Sequence, residues 1–303
     1  MNKSSMYDQI TDSVIAALES GTVPWHRPWA VSGLRGMPRS ASTGKIYNGI
    51  NAFILSLSGY TSPWWLTFKQ SQKLGGNVKG QKSTQVIFWR FIDDRSKDAK
   101  RGSKIPLLRS FRVFNAEQCN LPEDALAKLE SRLDKIAPPV KTTKNEVVAE
   151  AQRISDEYIG TSGVKLVHGS DQACYSPRED RIAMPDLDQF DTGEAYHHTL
   201  FHEEIHSTGH ESRLDRLTKR AAFGSGEYSR EELVAEMGAA FLCAASGIDQ
   251  PDIDENRDAY IAGWLKRLRE DNKAVVVAAG KAAKAADLIL AGQMSEGDTE
   301  YDG

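Results

Sequence analysis

Apolar residues recur along most of the chain at one of two spacings, and the spacing predicts the secondary structure. Apolar positions three or four residues apart, such as Ile10, Val14 and Leu18, predict amphipathic helices. Runs rich in aromatic and β-branched residues predict strands. Helices are predicted at residues 4–20, 52–57, 67–74, 145–159, 194–207, 228–242, 256–268 and 273–290, with a polar helix within 121–139. Strands are predicted at residues 85–91, 107–114, 164–168, 173–175 and 181–184, so the predicted fold class is α+β.

Two domains are predicted from the length of the chain and the position of a linker. At 303 residues the chain is long enough for two hydrophobic cores. The Pro-Pro pair at 138–139 and the polar stretch after it are typical of a linker. The predicted organisation is an N-terminal domain at 1–125, a linker at 126–144, a second domain at 145–290 and a disordered acidic tail at 291–303.

Composition excludes several classes of protein. The sequence has no run of roughly 18 apolar residues and no hydrophobic signal core near its N-terminus, so no membrane partner is expected. The three cysteines, Cys119, Cys174 and Cys243, are scattered along the chain. This pattern is typical of a reducing compartment and predicts a cytoplasmic protein without a disulfide framework.

Positive charge is concentrated in the N-terminal half. Residues 1–115 contain 17 Lys and Arg against 6 Asp and Glu, net +11, whereas the remaining residues contain 21 against 36, net −15. Five of the six tryptophans lie in this basic half. Cationic side chains neutralise phosphates and exposed rings stack on unpaired bases, which indicates a site for single-stranded nucleic acid. The alternative is that most of these tryptophans fill a hydrophobic core. The candidate contacts are Trp25, Arg27, Trp29, Arg35, Arg39, Lys45, Lys69 and Lys73.

The segment His202-Glu203-Glu204-Ile205-His206 is the strongest chemical signal in the sequence. Two histidines four residues apart on a helix project from one face and can reach one metal ion. Glu203 follows the first histidine, where a carboxylate can act as the catalytic base that takes a proton from water at the metal. The alternative interpretation is a helix with two surface histidines.

A second predicted helix supplies carboxylates for the third ligand that a tetrahedral site needs. Glu232 and Glu236 are four residues apart, and we assign Glu232 as the ligand and Glu236 as the acceptor that orients a ligand histidine. Two alternatives stay open, because the glutamates can exchange roles and His210 is a competing ligand. The expected cofactor is a divalent metal, with Zn²⁺ as first choice and Mn²⁺ or Co²⁺ as alternatives.

Both halves resemble ArdC-like antirestriction proteins. In the C-terminal half, residues 175–185, 196–214 and 231–242 resemble the zincin-type metallopeptidase domain of that family. Glu232-Leu233-Val234-Ala235-Glu236 fits the gluzincin ligand pattern, which supports Glu232 as the third ligand. In the N-terminal half, the resemblance to the DNA-binding domain rests on Pro24-Trp25 and Pro28-Trp29 together with residues 47–51, 65–70 and 74–80. Domains of this kind also occur with plasmid conjugative primases.

The resemblance implies an antirestriction function. The chain is expected to bind single-stranded DNA without strong sequence preference and to protect incoming conjugative plasmid DNA from host restriction by coating it. An active zinc-dependent metallopeptidase that cleaves a DNA-associated host protein is the second hypothesis, and a structural metal domain that docks proteins is the third. In zincins an extended substrate peptide pairs with a sheet edge, and residues 181–184 are the candidate edge.

Overall fold

The secondary structure follows the predicted order, with two additional strands. The computed structural model describes residues 6–24, 35–47, 49–93, 104–137, 144–217, 226–248 and 257–291. The helices are α1 Met6–Glu19, α2 Ile50–Ser56, α3 Phe68–Lys73, α4 Glu123–Ile136, α5 Lys144–Ser162, α6 Gly193–Ser207, α7 Gly226–Ser246, α8 Arg257–Glu270 and α9 Ala274–Ile289. The strands are β1 Arg39–Ser40, β2 Trp64–Thr67, β3 Thr84–Asp93, β4 Lys104–Asn115, β5 Lys165–His168, β6 Cys174–Ser176 and β7 Arg181–Met184.

A four-stranded sheet organises the N-terminal half. Its strand order is β1-β2-β4-β3. β3 and β4 form a long antiparallel hairpin, and β2 pairs with the other edge of β4. The sequence pattern did not predict β2 because Trp64, Trp65 and Leu66 are all buried, which removes the polar alternation of a half-exposed strand.

Helix α4 covers one face of this sheet. Leu129 and Leu133 are buried in one cluster with Trp64 and Leu66. The polar helix predicted within 121–139 is present as α4, but it packs on the N-terminal sheet, whereas residues 126–144 were expected to form a linker. Burial of leucines at a spacing of four residues explains why this stretch is ordered, despite its polar composition.

The main hydrophobic core joins the two halves of the chain. The rings of Phe53 on α2 and Phe241 on α7 pack with their centroids 4.9 Å apart. Val14 and Leu18 of α1 belong to the same core. The Thr11 hydroxyl on α1 donates a hydrogen bond to the Asn272 carbonyl oxygen at 2.7 Å. The first two helices therefore pack against the C-terminal helices, although they belong to the N-terminal segment of the sequence.

The C-terminal half combines helices with a three-stranded sheet of order β5-β7-β6. β7 pairs in parallel with β5 and antiparallel with β6. Residues 181–184, the expected edge for an extended peptide, are therefore the central strand, and both of their edges are already hydrogen-bonded. Among the described strands, β5 and β6 form the edges of this sheet. The predicted two-domain α+β class is confirmed.

No helix within the described ranges combines the length and the apolar composition that crossing a membrane requires.

Candidate metal centre

Helix α6 presents the two histidines on one side and packs its other side into the core. The Thr192 hydroxyl caps the helix by accepting a hydrogen bond from the Ala195 amide at 3.1 Å. Leu200, Phe201 and Ile205 are fully buried. Because these three residues fix the rotation of the helix about its axis, the imidazoles four residues apart face the neighbouring helix α7.

Three side chains from α6 and α7 converge at this face. His202 Nε2 and His206 Nε2 are 3.1 Å apart. Glu232 Oε2 is 3.5 Å from His202 Nε2, and Glu232 Oε1 is 3.5 Å from His206 Nε2. One ligand atom from each of the three residues can be chosen so that all lie within 4.8 Å of one another. A tetrahedral ion with ligands at roughly 2.1 Å holds its donor atoms about 3.4 Å apart. These three residues can therefore hold a small divalent ion, whose fourth position would take water or a substrate.

The electrostatic surroundings of His202 also favour a cation. Burial of the His202 imidazole lowers its pKa, but the hydrogen bond with Glu232 and the charges of Glu236, Glu203 and Glu232 outweigh burial and raise the pKa to about 9. A negative field that stabilises an imidazolium also stabilises a bound metal cation.

Glu231 orients His206, and this residue was missed by the sequence analysis. One Glu231 carboxylate oxygen lies 3.5 Å from His206 Nδ1, on the side of the ring that faces away from Glu232. The buried Arg216 guanidinium donates to the Glu231 carboxylate at 2.8 Å and to the Ile205 carbonyl oxygen at 2.6 Å. Although burial raises the pKa of Glu231, its bonds with His206 and Arg216 outweigh burial and lower it. In the sequence, the only indication of this role was the position of Glu231 next to Glu232. The packing of α6 on α7 decides which of these two carboxylates faces which nitrogen of His206.

The other predicted residues have different surroundings. Glu203 is buried, with 8% of its surface exposed, and its charge acts on His202. Glu236 is half-buried, and its charge also acts on His202, whereas the carboxylate against the outer nitrogen of His206 is that of Glu231. His210 does not join the other two histidines, because its Nδ1 is 2.8 Å from the Ser212 hydroxyl and faces Asp180.

An ion-pair network holds the end of α6. Arg213 donates to the Ser207 carbonyl oxygen at 2.8 Å and to Asp180, which precedes β7. The Tyr175 hydroxyl donates to the same Asp180 carboxylate at 2.8 Å. Burial, followed by the Asp180 hydrogen bond and charge, raises the pKa of Tyr175. Tyr175 is thus occupied by contacts that join the sheet to α6.

Two further groups on α6 are buried on its core side. Neither carboxylate oxygen of Glu204 has a hydrogen-bond partner in good geometry among the described residues. Burial raises the pKa of Glu204 to about 8, and the nearby Ser155 acts in the opposite direction. His197 follows Tyr196 on the side of the helix that contacts the core. It is buried there, and burial lowers its pKa.

Some of the candidate DNA contacts are engaged within the fold, and others are exposed to solvent. Trp25, Arg27 and Trp29 lie outside the described residues. Arg35 pairs with Asp134 at 2.9 Å and with Glu130, and it donates to the Ala137 carbonyl oxygen at 2.7 Å. Arg39 is buried in β1, where burial and the charge of Arg35 lower its pKa to about 10. Lys45, Lys69 and Lys73 are exposed.

Two family models match the chain, one for each half. Residues 4–114 match the N-terminal domain of anti-restriction factor ArdC, and residues 153–281 match a zincin-like metallopeptidase. The uncharacterized protein y4eC of Sinorhizobium fredii is 33% identical over a match that covers 95% of this chain and 92% of the relative. Two DNA primases named TraC from Escherichia coli are 34% and 31% identical, but this chain spans 27% and 20% of their lengths.

Two crystal structures share the whole fold. They are the metal-free and Mn(II)-bound structures of the antirestriction ArdC protein from plasmid R388, which are 35% and 33% identical to this chain. Each has a TM-score of 0.72, with 95% of this chain and 98% of the other chain covered.

Proposed function

The chain belongs to the family of ArdC-like antirestriction proteins, and from this premise we propose that its N-terminal domain binds single-stranded DNA while its C-terminal domain holds a divalent metal ion. In this proposal the protein acts in the recipient cell, where it protects incoming conjugative plasmid DNA from host restriction.

The observation that carries the metal site is the convergence of His202, His206 and Glu232, with one ligand atom from each within 4.8 Å of the others. His202 and His206 supply their Nε2 atoms, and Glu232 supplies a carboxylate oxygen. The Glu231 carboxylate contacts Nδ1 of His206, so the Nε2 atom of the same ring is directed at the metal position. Manganese in the related crystal structure supports a divalent ion, and the same donor set accepts zinc.

Excess positive charge in the N-terminal half supports the DNA-binding function. Residues 20–92 contain no Asp or Glu, so this part of the domain attracts a polyanion without competition from carboxylates within the same stretch of sequence. A protein that coats the entering strand denies restriction enzymes access to it until the complementary strand is made. Binding of this kind weakens steeply with salt, because each neutralised phosphate releases counterions.

Peptidase activity is a second candidate function, and a specific observation favours it. Glu203 is buried, and its charge acts on the neighbouring His202, although His202, His206 and Glu232 already supply three metal ligands. A metal with only a structural role would not require this additional carboxylate. A divalent metal in this site supplies Lewis acidity to a peptide carbonyl. Glu203 would take the proton of the attacking water, and the N-terminal domain would bring the enzyme to a host protein bound to DNA.

A single variant separates the two candidates. Restriction protection is measured in recipient cells for wild type and Glu203→Ala, and the purified proteins are titrated with single- and double-stranded oligonucleotides at two salt concentrations. If the variant protects and binds single strands as wild type does, occlusion is supported. If it binds DNA but no longer protects, the peptidase function is supported. A wild-type protein that does not prefer single strands contradicts the DNA-binding proposal.

A further inference from the structure

The segment that joins β2 to β3 carries positive charge only. This crossover segment, residues 68–83, contains Lys69, Lys73, Lys79 and Lys82 and no carboxylate. It begins with α3, whose N-terminus is fixed by a capping box between Thr67 and Gln70. The segment is therefore a defined structural element that carries four positive charges.

Packing holds the inner side of the crossover segment against the domain. Ser71 is fully buried, and a Cβ atom on Gly76 would lie 2.4 Å from the Cys119 carbonyl oxygen. Thr67 and Thr84, at the two ends, pair with the same residue of β4, Val113. Because both ends are fixed to one strand, the segment presents a constant outer side to solvent.

The outer side of the crossover segment combines a half-exposed aromatic ring with exposed lysines. Phe68 is 50% exposed, the largest value among the described aromatic residues. Lys69, Lys73, Lys79 and Lys82 are all exposed. Trp64 and Trp65, which precede this segment, are buried in the core and are not available for stacking.

The ammonium groups of these lysines are not neutralised by the described part of the fold. Within the described residues, none of the four ammonium groups forms an ion pair. In contrast, Arg35 is committed to Asp134 and Glu130, and Arg132 donates to the Ala41 carbonyl oxygen at 2.6 Å. After this segment the next carboxylate whose contacts the structure describes is Glu117, and it accepts hydrogen bonds from the backbone amides of Thr61 and Ser62.

We propose that the crossover segment is the surface that binds single-stranded DNA, with Phe68 stacking on an unpaired base and Lys69, Lys73, Lys79 and Lys82 following the phosphates. The proposal rests on the DNA-binding function above and names the site for it. An exposed ring offers stacking to bases that have lost their neighbours, whereas the bases of a duplex are already stacked. The preference for single strands therefore comes from Phe68, and the lysines contribute the charge attraction.

The test measures the affinity of the full chain for a fluorescein-labelled oligothymidine over a series of salt concentrations. Phe68→Ala should weaken binding on the order of ten-fold or more, because one stacked base is lost. It should leave the salt dependence unchanged, because the ring carries no charge. Phe68→Trp, which keeps an aromatic ring at this position, should bind oligothymidine with the wild-type affinity. Leu126, on α4, is 45% exposed, and Leu126→Ala is the matched control that should bind as wild type does.

The double variant Lys69→Gln/Lys73→Gln tests the charge contribution separately. For single strands the slope of log K against log salt changes by about 0.7 per phosphate contact, so the double variant should lose about 1.4 of slope. Lys135→Gln, at an exposed lysine of α4, is its control.

The outcomes distinguish this inference from the proposed function. If wild type binds oligothymidine and Phe68→Ala binds equally well, the inference is overturned while DNA binding stands, and the site must lie elsewhere in the basic half. If wild type does not bind the oligonucleotide, both are overturned. If Phe68→Ala and Leu126→Ala are weakened equally, the loss is not specific to stacking, and the inference also fails.

Discussion

The metal centre and the crossover segment use charged groups in opposite ways. At the metal centre every donor is held by a neighbour, because Glu232 lies 3.5 Å from His202 and Arg216 holds Glu231 against His206. In the crossover segment the described lysines have no carboxylate partner and extend into solvent. A small ion needs donor atoms at fixed distances, whereas a flexible polyanion needs charge that can adapt to its path. The difference indicates that mutations in the two regions should affect different measurements.

The largest effect is expected from loss of a metal ligand. His206→Ala should weaken metal binding by more than about a hundred-fold, since even loss of a residue that only orients a ligand weakens binding roughly 10- to 100-fold. Affinity for oligothymidine should be unchanged. Isothermal titration with Zn²⁺ and Mn²⁺ measures the first quantity. His210→Ala is the matched control, and equal losses in both variants would return His210 to the ligand set.

A smaller effect is expected from the residue that orients His206. Glu231→Gln should weaken metal binding by roughly 10- to 100-fold, because the outer nitrogen of His206 loses its charged acceptor. It should also lower the free energy of unfolding by a few kcal/mol, because the buried Arg216 loses its counter-charge. The comparison variant is Glu236→Gln. If that variant alone weakens metal binding, Glu236 is the residue that orients the ligand histidine, as predicted from the sequence.

A third pair of variants tests the contrast between paired and solvent-exposed cations within the N-terminal domain. Arg35→Gln should lower the free energy of unfolding by about 1 kcal/mol and leave the salt slope of DNA binding unchanged. Lys69→Gln should leave stability unchanged and lower the slope by about 0.7. Chemical denaturation and oligonucleotide titration measure the two quantities. A change of slope in Arg35→Gln would mean that Arg35 contacts DNA despite its ion pairs.

The smallest effect is expected from His197, which is buried on the same helix that carries the ligands. Burial lowers the pKa of His197 from its ordinary value of 6.5, so the unfolded chain binds a proton before the folded chain does as pH falls. The stability of wild type relative to His197→Leu should therefore decrease as pH falls below about 6.5 and stay constant above it. Denaturation at several pH values measures this difference, and a difference that does not vary with pH would contradict the assignment.

Secondary structure and chemistry were predicted to different extents along the chain. Long helices such as α6 and α9 were located closely, because apolar residues recur in them at helical spacing over several turns. The short strands β1 and β2 were not predicted, and α4 was predicted as a polar helix but assigned to a linker. In these segments the apolar pattern is short or lies on both faces. It therefore does not predict the secondary structure or the packing partner.

The sequence by itself determined the two histidines one helical turn apart, the carboxylates of the next long helix and the excess of positive charge in the first half. These properties are local, since helical spacing and composition do not depend on distant contacts. Only the tertiary structure decided that Glu231 faces His206, that Arg39 is buried and that residues 181–184 form a central strand. Each of these depends on which elements pack together, because a side chain has a partner or remains exposed only once its neighbours are in place.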